Sequence, residues 1–419
     1  MTRCQPGLPA TDTQSVHSLP SQSRRRLLSG AAGGLLLGLG AGNALAAPSG
    51  KPIRVGGTLS LTGPLAQTAL LHKIAGESYV DITNSHNGWL GRPIEWVLLD
   101  DQSRPDVARG LYEKLITVDK VDLVVGPYGT NSILAAFGVA QRYGKMLVQS
   151  SMGIPKLATY GMQIPASPFG PDPAKDYPAV ILDCVASLPT PPKSIAVVTS
   201  KFPSAQFMAE GMRDAAKQRG LQVPIYLEYE FGTRDFSAIA ARVKDANADF
   251  LWVGALGLDG NQLLEALQKL DYTPKLHYYL YPAPGPLLAL PAARNALAHS
   301  FFEDHPPFSQ RPGIAEFGPM YRARAVKAGV PYAELDSQAT GTYNAFDLMG
   351  KAIEATKSLD DKILANWLKT HPVETLFGTQ TFDGPNNHGP SKMLVRQAQG
   401  RRWVVVWPRD VAGGEILTQ

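Results

Sequence analysis

Cysteine is nearly absent from the chain, with two among 419 residues, Cys4 and Cys184. Cys4 lies in a segment that reads as a removable leader, so a single thiol remains and an intramolecular disulfide is excluded. Cys184, within Ile181-Leu182-Asp183-Cys184-Val185, reads as a small buried residue. Long apolar runs are also missing. The best candidate, between Gly30 and Gly42, is about a dozen residues diluted by glycine, against the roughly 20 a membrane-spanning helix needs. Nor is one sign of charge in excess. Four arginines against one aspartate in residues 1–46 carry +3 of the total +4, leaving about +1 for the rest. That balance argues against a nucleic-acid or membrane-surface partner.

Signatures of catalysis are lacking too. The histidines are scattered without a His-x-x-x-His pair, and there is no Cys-x-x-Cys, Gly-x-Ser-x-Gly or Walker loop. Gly254-x-x-Gly257-x-x-Gly260 lacks the close first glycines of a dinucleotide fingerprint, and Asp100-Asp101 are neighbours on a loop. The expectation is a protein that is not an enzyme and needs no metal or cofactor.

What is present begins with Ser23-Arg24-Arg25-Arg26-Leu27-Leu28 ahead of the short apolar stretch, followed by Ala44-Leu45-Ala46. A positive, then apolar, then small-x-small order is that of a secretory signal, here of the twin-arginine type. Residues 1–46 are therefore expected to be a signal peptide cleaved near Ala46, which places the mature protein in the periplasm. No cysteine follows the cleavage site, so a lipid anchor is not expected.

The remaining 373 or so residues exceed one comfortable core and imply two domains. Apolar strands such as Ile53–Leu59, Ile94–Leu99 and Val121–Val125 alternate with helical patterns, and the alternation resumes from Ser194 to Leu270. Such alternation means βαβ units and parallel sheets. The order loop, Asp-led helix, Asp-led strand, glycine, helix occurs at 100–143 and again at 228–270, with Gly126 and Gly254 in matching places. Two similar α/β lobes explain the repeat economically. Prolines at 165, 168, 171, 173 and 178 predict an extended crossing between them; breaks at 281–286 and 378–390 predict two more.

Four stretches, in order, resemble the branched-chain amino acid-binding proteins of ABC transporters. They are Leu59-Ser60-Leu61-Thr62-Gly63-Pro64-Leu65-Ala66; Asn87 to Glu95 with Asp100 to Pro105; Lys114 to Tyr128; and Arg234-Asp235-Phe236-Ser237 through Phe250 to Gly254. The resemblance implies a type I periplasmic-binding fold, an α/β architecture of two Rossmann-like lobes joined by a three-segment hinge. Lobe 1 would take 52–166 plus 285–378, and lobe 2 would take 167–284 plus 379–419. It further implies a monomer that captures a small-molecule ligand, an amino acid or small carboxylate, and delivers it to ABC transporter permease subunits. A ligand-sensing receptor domain on the same fold, or an aromatic acid or amide as ligand, is the rival reading.

In an open α/β sheet, ligands bind beyond the carboxyl ends of the strands. Here that end is Tyr128-Gly129-Thr130, ahead of a helix whose free N–H groups favour a carboxylate; Gly129 permits close approach, and Thr130 is expected to cap the helix. The next strand ends at Ser150-Ser151-Met152-Gly153, a loop that the resemblance assigns to the same carboxylate. Gly153 stands where relatives often carry a threonine. From the second lobe the candidates are Phe202 and Tyr281 as apolar walls and Asp259, placed where some relatives use an acid to pair with an ammonium. An aspartate just before a helix is equally an N-terminal cap.

Overall fold

The computed structural model describes residues 47–282 and 284–418. The arginine run, the apolar stretch, the cleavage site near Ala46 and Cys4 lie outside the described residues. Among the described residues no helix is long and apolar enough to cross a membrane.

The first part of the chain runs β1 (Ile53–Leu59), α1 (Ala66–Ser85), β2 (Ile94–Asp100), α2 (Pro105–Thr117), β3 (Leu123–Val125), α3 (Thr130–Tyr143), β4 (Leu147–Gln149) and β5 (Gln163–Pro165). The five strands form a parallel sheet in the order β2-β1-β3-β4-β5. The central strands β3 and β4 are fully buried, because helices cover both faces and leave no side for polar residues. Pro105 opens α2, where its fixed φ suits the first turn and no hydrogen bond is lost.

Next come α4 (Pro173–Ala186), β6 (Ser194–Ser200), α5 (Pro203–Gln218), β7 (Gln222–Tyr229), α6 (Ser237–Ala246), β8 (Phe250–Gly257), α7 (Asp259–Gln268), β9 (His277–Pro282), α8 (Pro284–Leu288) and β10 (Leu297–Ser300). The chain then forms α9 (Ile314–Lys327), α10 (Ser337–Thr356) and α11 (Asp361–Thr370), and ends in the hairpin β11 (Leu394–Gln399) and β12 (Arg402–Trp407). The second sheet has seven strands in the order β12-β11-β10-β9-β8-β6-β7, parallel except for the antiparallel β10-β11-β12 edge. Helices α9 and α10 pack on α1, and α11 on β5, so this segment returns to the first sheet. Asp336 and Asp360 cap α10 and α11, each carboxylate accepting two backbone N–H groups.

Three sequence expectations are corrected. The stretch 165–178 is extended only in its first part. Helix α4 starts at Pro173, since a first-turn proline favours a helix as readily as proline elsewhere breaks one. Strand β10 belongs to the second sheet although it lies inside 285–378, so the return to the first lobe comes after Ser300 and not at 285. Gly126 follows its strand, whereas Gly254 lies inside β8, which continues past a register shift to Gly257. The two glycines are therefore not structural equals.

Candidate ligand-binding site

A small cavity opens where the loops after β3 and β4 meet the carboxyl ends of β8, β9 and β10 and the starts of α5 and α10. It is bordered by seven of the nine residues singled out in the sequence: Tyr128, Gly129, Thr130, Ser150, Ser151, Phe202 and Tyr281. Its free volume of about 30 Å³ has room for about two waters. A ligand as large as an amino acid enters only if the lobes part or lining side chains turn.

The wall from the first sheet is set by backbone geometry. Gly129 is the N-cap of α3 at φ 88°, a conformation that a side chain would strain. Thr130 is therefore the first helical residue and not the cap, correcting the sequence expectation. Its hydroxyl is buried with no hydrogen-bond partner, and no side chain caps the first turn of α3. A helix start left open inside a protein offers N–H groups and a positive dipole end to an anion. After β4, Gln149 Oε1 accepts the N–H groups of Ser151 and Met152 at 3.1 and 2.9 Å, holding the loop in place. Ser151 Oγ accepts the Gly129 N–H at 3.0 Å, tying the two loops together. Ser167 Oγ donates to the Ser150 carbonyl at 2.6 Å, which anchors the crossing segment to the same corner.

The opposite wall is aromatic. Tyr281 meets His299 edge-on at 4.8 Å, His299 meets Phe301 at 5.7 Å, and Phe301 meets Phe169 at 5.1 Å. Phe202 packs on Phe231 at 5.2 Å and reaches toward Gly129. Tyr281 Oη and His299 Nδ1 are buried without partners. Burial pushes the His299 pKa down to about 3, with the Arg396 charge adding to it, so the ring is neutral at physiological pH. At the head of α10, Gln338 lines the cavity and its Oε1 lies 3.1 Å from His72 Nε2, while His72 Nδ1 lies 2.7 Å from Thr342 Oγ1. The amide oxygen can only accept. His72 therefore carries its proton on Nε2, and the Gln338 NH2 group is left free to donate.

Two sequence candidates lie elsewhere. Gly153 sits just behind the cavity, packed so tightly that a Cβ on it would be 2.6 Å from Ser204 Cβ and 3.3 Å from Tyr281 Oη. Asp259 is the first residue of α7 and does not line the cavity. Burial pushes its carboxyl up to about 6, with the Tyr229 hydroxyl pulling the other way, and Oδ2 completes no hydrogen bond. Leu258, not Asp259, takes the cap position, so the expected capping role is corrected as well.

His299, Phe301, Phe169, Gln338 and Leu256 border the cavity without having been singled out. The start of α10 carried a usable signal, since Asp336 ahead of a long helical pattern marks another helix N-terminus. His299 and Phe169 carried none, because their neighbours come from distant segments.

A family described as periplasmic binding protein matches residues 52–402. The Leu/Ile/Val-binding protein of Escherichia coli is 26% identical over 216 residues, 51% of this chain and 57% of that protein, so the match spans little more than half of the relative. Among solved structures, the branched-chain amino acid transporter substrate binding protein LivJ from Streptococcus pneumoniae, in complex with isoleucine, superposes with a TM-score of 0.71 at 19% identity, covering 88% of this chain and all of that one. A solute binding protein of an R. palustris ABC transporter, in complex with benzoate, gives 0.70 at 17% identity, covering 88% and 98%. Both share this two-lobed fold.

Proposed function

The chain belongs to the periplasmic binding protein family, and on that premise we propose that it is the extracytoplasmic solute-binding component of an ABC importer. It takes a small amino acid or related carboxylate between two lobes and presents the closed form to the permease subunits. The observation that carries this reading is the buried, uncapped start of α3, with the unpartnered Thr130 hydroxyl, facing Phe202 and Tyr281 of the other lobe across one cavity. Lobe 1 comprises 52–166 and about 301–378, and lobe 2 comprises about 167–300 and 379–418, in line with sheet membership. Opening and closing about the three crossings provides the entry that the narrow cavity needs.

On this reading the role is binding, in keeping with the binding-protein names of the family and the relatives. The leader at 1–46 is read as a signal peptide cleaved near Ala46, and the mature protein as a monomer. The relatives bear names or complexes with leucine, isoleucine, valine and benzoate, a span of small carboxylates. A thermal-shift screen of the purified mature chain against amino acids, aromatic acids and short amides tests the reading. At least one carboxylate should raise the melting temperature in a concentration-dependent way; silence across the whole set, or hits confined to amides, would sink it.

A further inference from the structure

The cavity carries no group that would neutralise an ammonium. None of its bordering residues is an aspartate or glutamate. The one acid expected there, Asp259, heads α7 and does not border the cavity. What faces the space is rich in donors. Thr130 Oγ1 and Tyr281 Oη are hydroxyls able to donate and without partners, on residues that are 1% and 8% exposed. His299 Nδ1 is unpartnered too, and donates only in the tautomer that carries the proton there. The open first turn of α3 and the Gln338 NH2 group add further N–H groups. Donors complement a carboxylate and ring hydroxyls, whereas a buried ammonium would stay uncompensated, which is strongly unfavourable. Away from α3, the wall is a run of ring faces and edges from Phe169, Phe301, His299 and Tyr281, with Phe202 closing the side. Such surfaces match a flat ring better than a branched aliphatic chain.

We infer that the physiological ligand is an aromatic carboxylate without an α-ammonium, held by its carboxylate at the start of α3 with its ring against the Phe169–Phe301–Tyr281 wall. The inference rests on the proposed solute-binding role and narrows its ligand class. Zwitterionic amino acids are discriminated against by the missing counter-charge, not by size.

Calorimetric titration of the mature chain with matched pairs tests this: 3-phenylpropanoate against phenylalanine, and 4-methylpentanoate against leucine, with benzoate and 4-hydroxybenzoate alongside. The amine-free member of each pair should bind at least about tenfold tighter, and an aromatic acid should be tightest of all. Equal or tighter binding of the amino acids overturns the inference while leaving the solute-binding role intact. An aliphatic acid as the tightest ligand also overturns it. No binding by any probe overturns both. Asp259→Asn provides a second arm: the ratio within each pair should stay within about twofold, and selective loss of phenylalanine binding would restore Asp259 as an ammonium partner and defeat the inference.

Discussion

Gly153 of one lobe and Ser204 of the other approach so closely that a Cβ on the glycine would lie 2.6 Å from the serine Cβ. Real Cβ atoms do not come that near, so the contact holds only while residue 153 has no side chain. The threonine that the family resemblance places here would wedge the lobes apart. Gly153→Thr should weaken ligand binding at least about tenfold, because closure adds the contacts that set affinity. X-ray scattering should give a larger radius of gyration for the variant with ligand present. Undiminished affinity would show that this contact is not part of the bound state.

Thr130 offers a cleaner probe. Its hydroxyl has no partner, so Thr130→Val removes nothing from the unliganded fold while preserving shape. Ligand affinity should fall by about 1 kcal/mol, roughly fivefold, with the unliganded melting temperature unchanged. A loss of melting temperature with affinity intact would assign the hydroxyl to the fold instead of the ligand.

Histidines dominate one side of the pH response. Burial pushes His72, His277 and His388 down from 6.5 to about 4, and His299 to about 3. A depressed folded-state pKa means stability present above 6.5 and lost as pH falls toward 4. His277, remote from the cavity and near Tyr279 Oη at 3.1 Å, isolates the effect. Relative to His277→Gln, the wild type should lose up to about 1.4 kcal/mol more per pH unit across that window. Urea midpoints between pH 7 and pH 4 measure it; parallel curves would reject it.

Asp259 works in the opposite direction. Its folded-state carboxyl is raised from 3.8 to about 6, so the stability it allows at low pH is lost as pH rises through 6. Asp259→Asn should therefore melt higher than wild type at pH 8, with the advantage gone at pH 4. Thermal melts at the two pH values decide the sign.

Near the cavity, Arg396 of β11 lies 2.6 Å from Glu303 and 3.6 Å from Asp336, all three side chains 3% exposed or less. It also stacks on Trp403 at 4.4 Å. Arg396→Met keeps the volume but strands two carboxylates, and should cost about 3–5 kcal/mol. Burial already pushes Glu303 up to about 7, so the loss should be larger at pH 8 than at pH 5, where the acid is protonated. Denaturation at both values checks the size and the direction.

Local pattern alone determined much of this protein. Alternating apolar strands and helices around Val121–Val125 and Phe250–Val253 specify parallel sheets, because strands covered on both faces have no room for polar residues. The strand-end loops at Tyr128–Thr130 and Ser150–Ser151 followed from the rule that such sheets expose their carboxyl edge at a ligand cleft. Gly129 and Thr130 were legible as a pair, but which of them caps the helix depended on a positive φ that no spacing reveals.

Only the tertiary structure decided the rest. That β10 joins the second sheet is settled by pairing with β9 and β11, a contact spanning about a hundred residues of chain. The aromatic wall unites Phe169, Tyr281, His299 and Phe301 from a crossing segment and two strands, so no window of sequence contains it. Asp259 stood in a plausible place along the chain, yet at the head of α7 it does not border the cavity. Sequence orders residues along one line. Which charges and rings share a cavity is set by how the two sheets face each other.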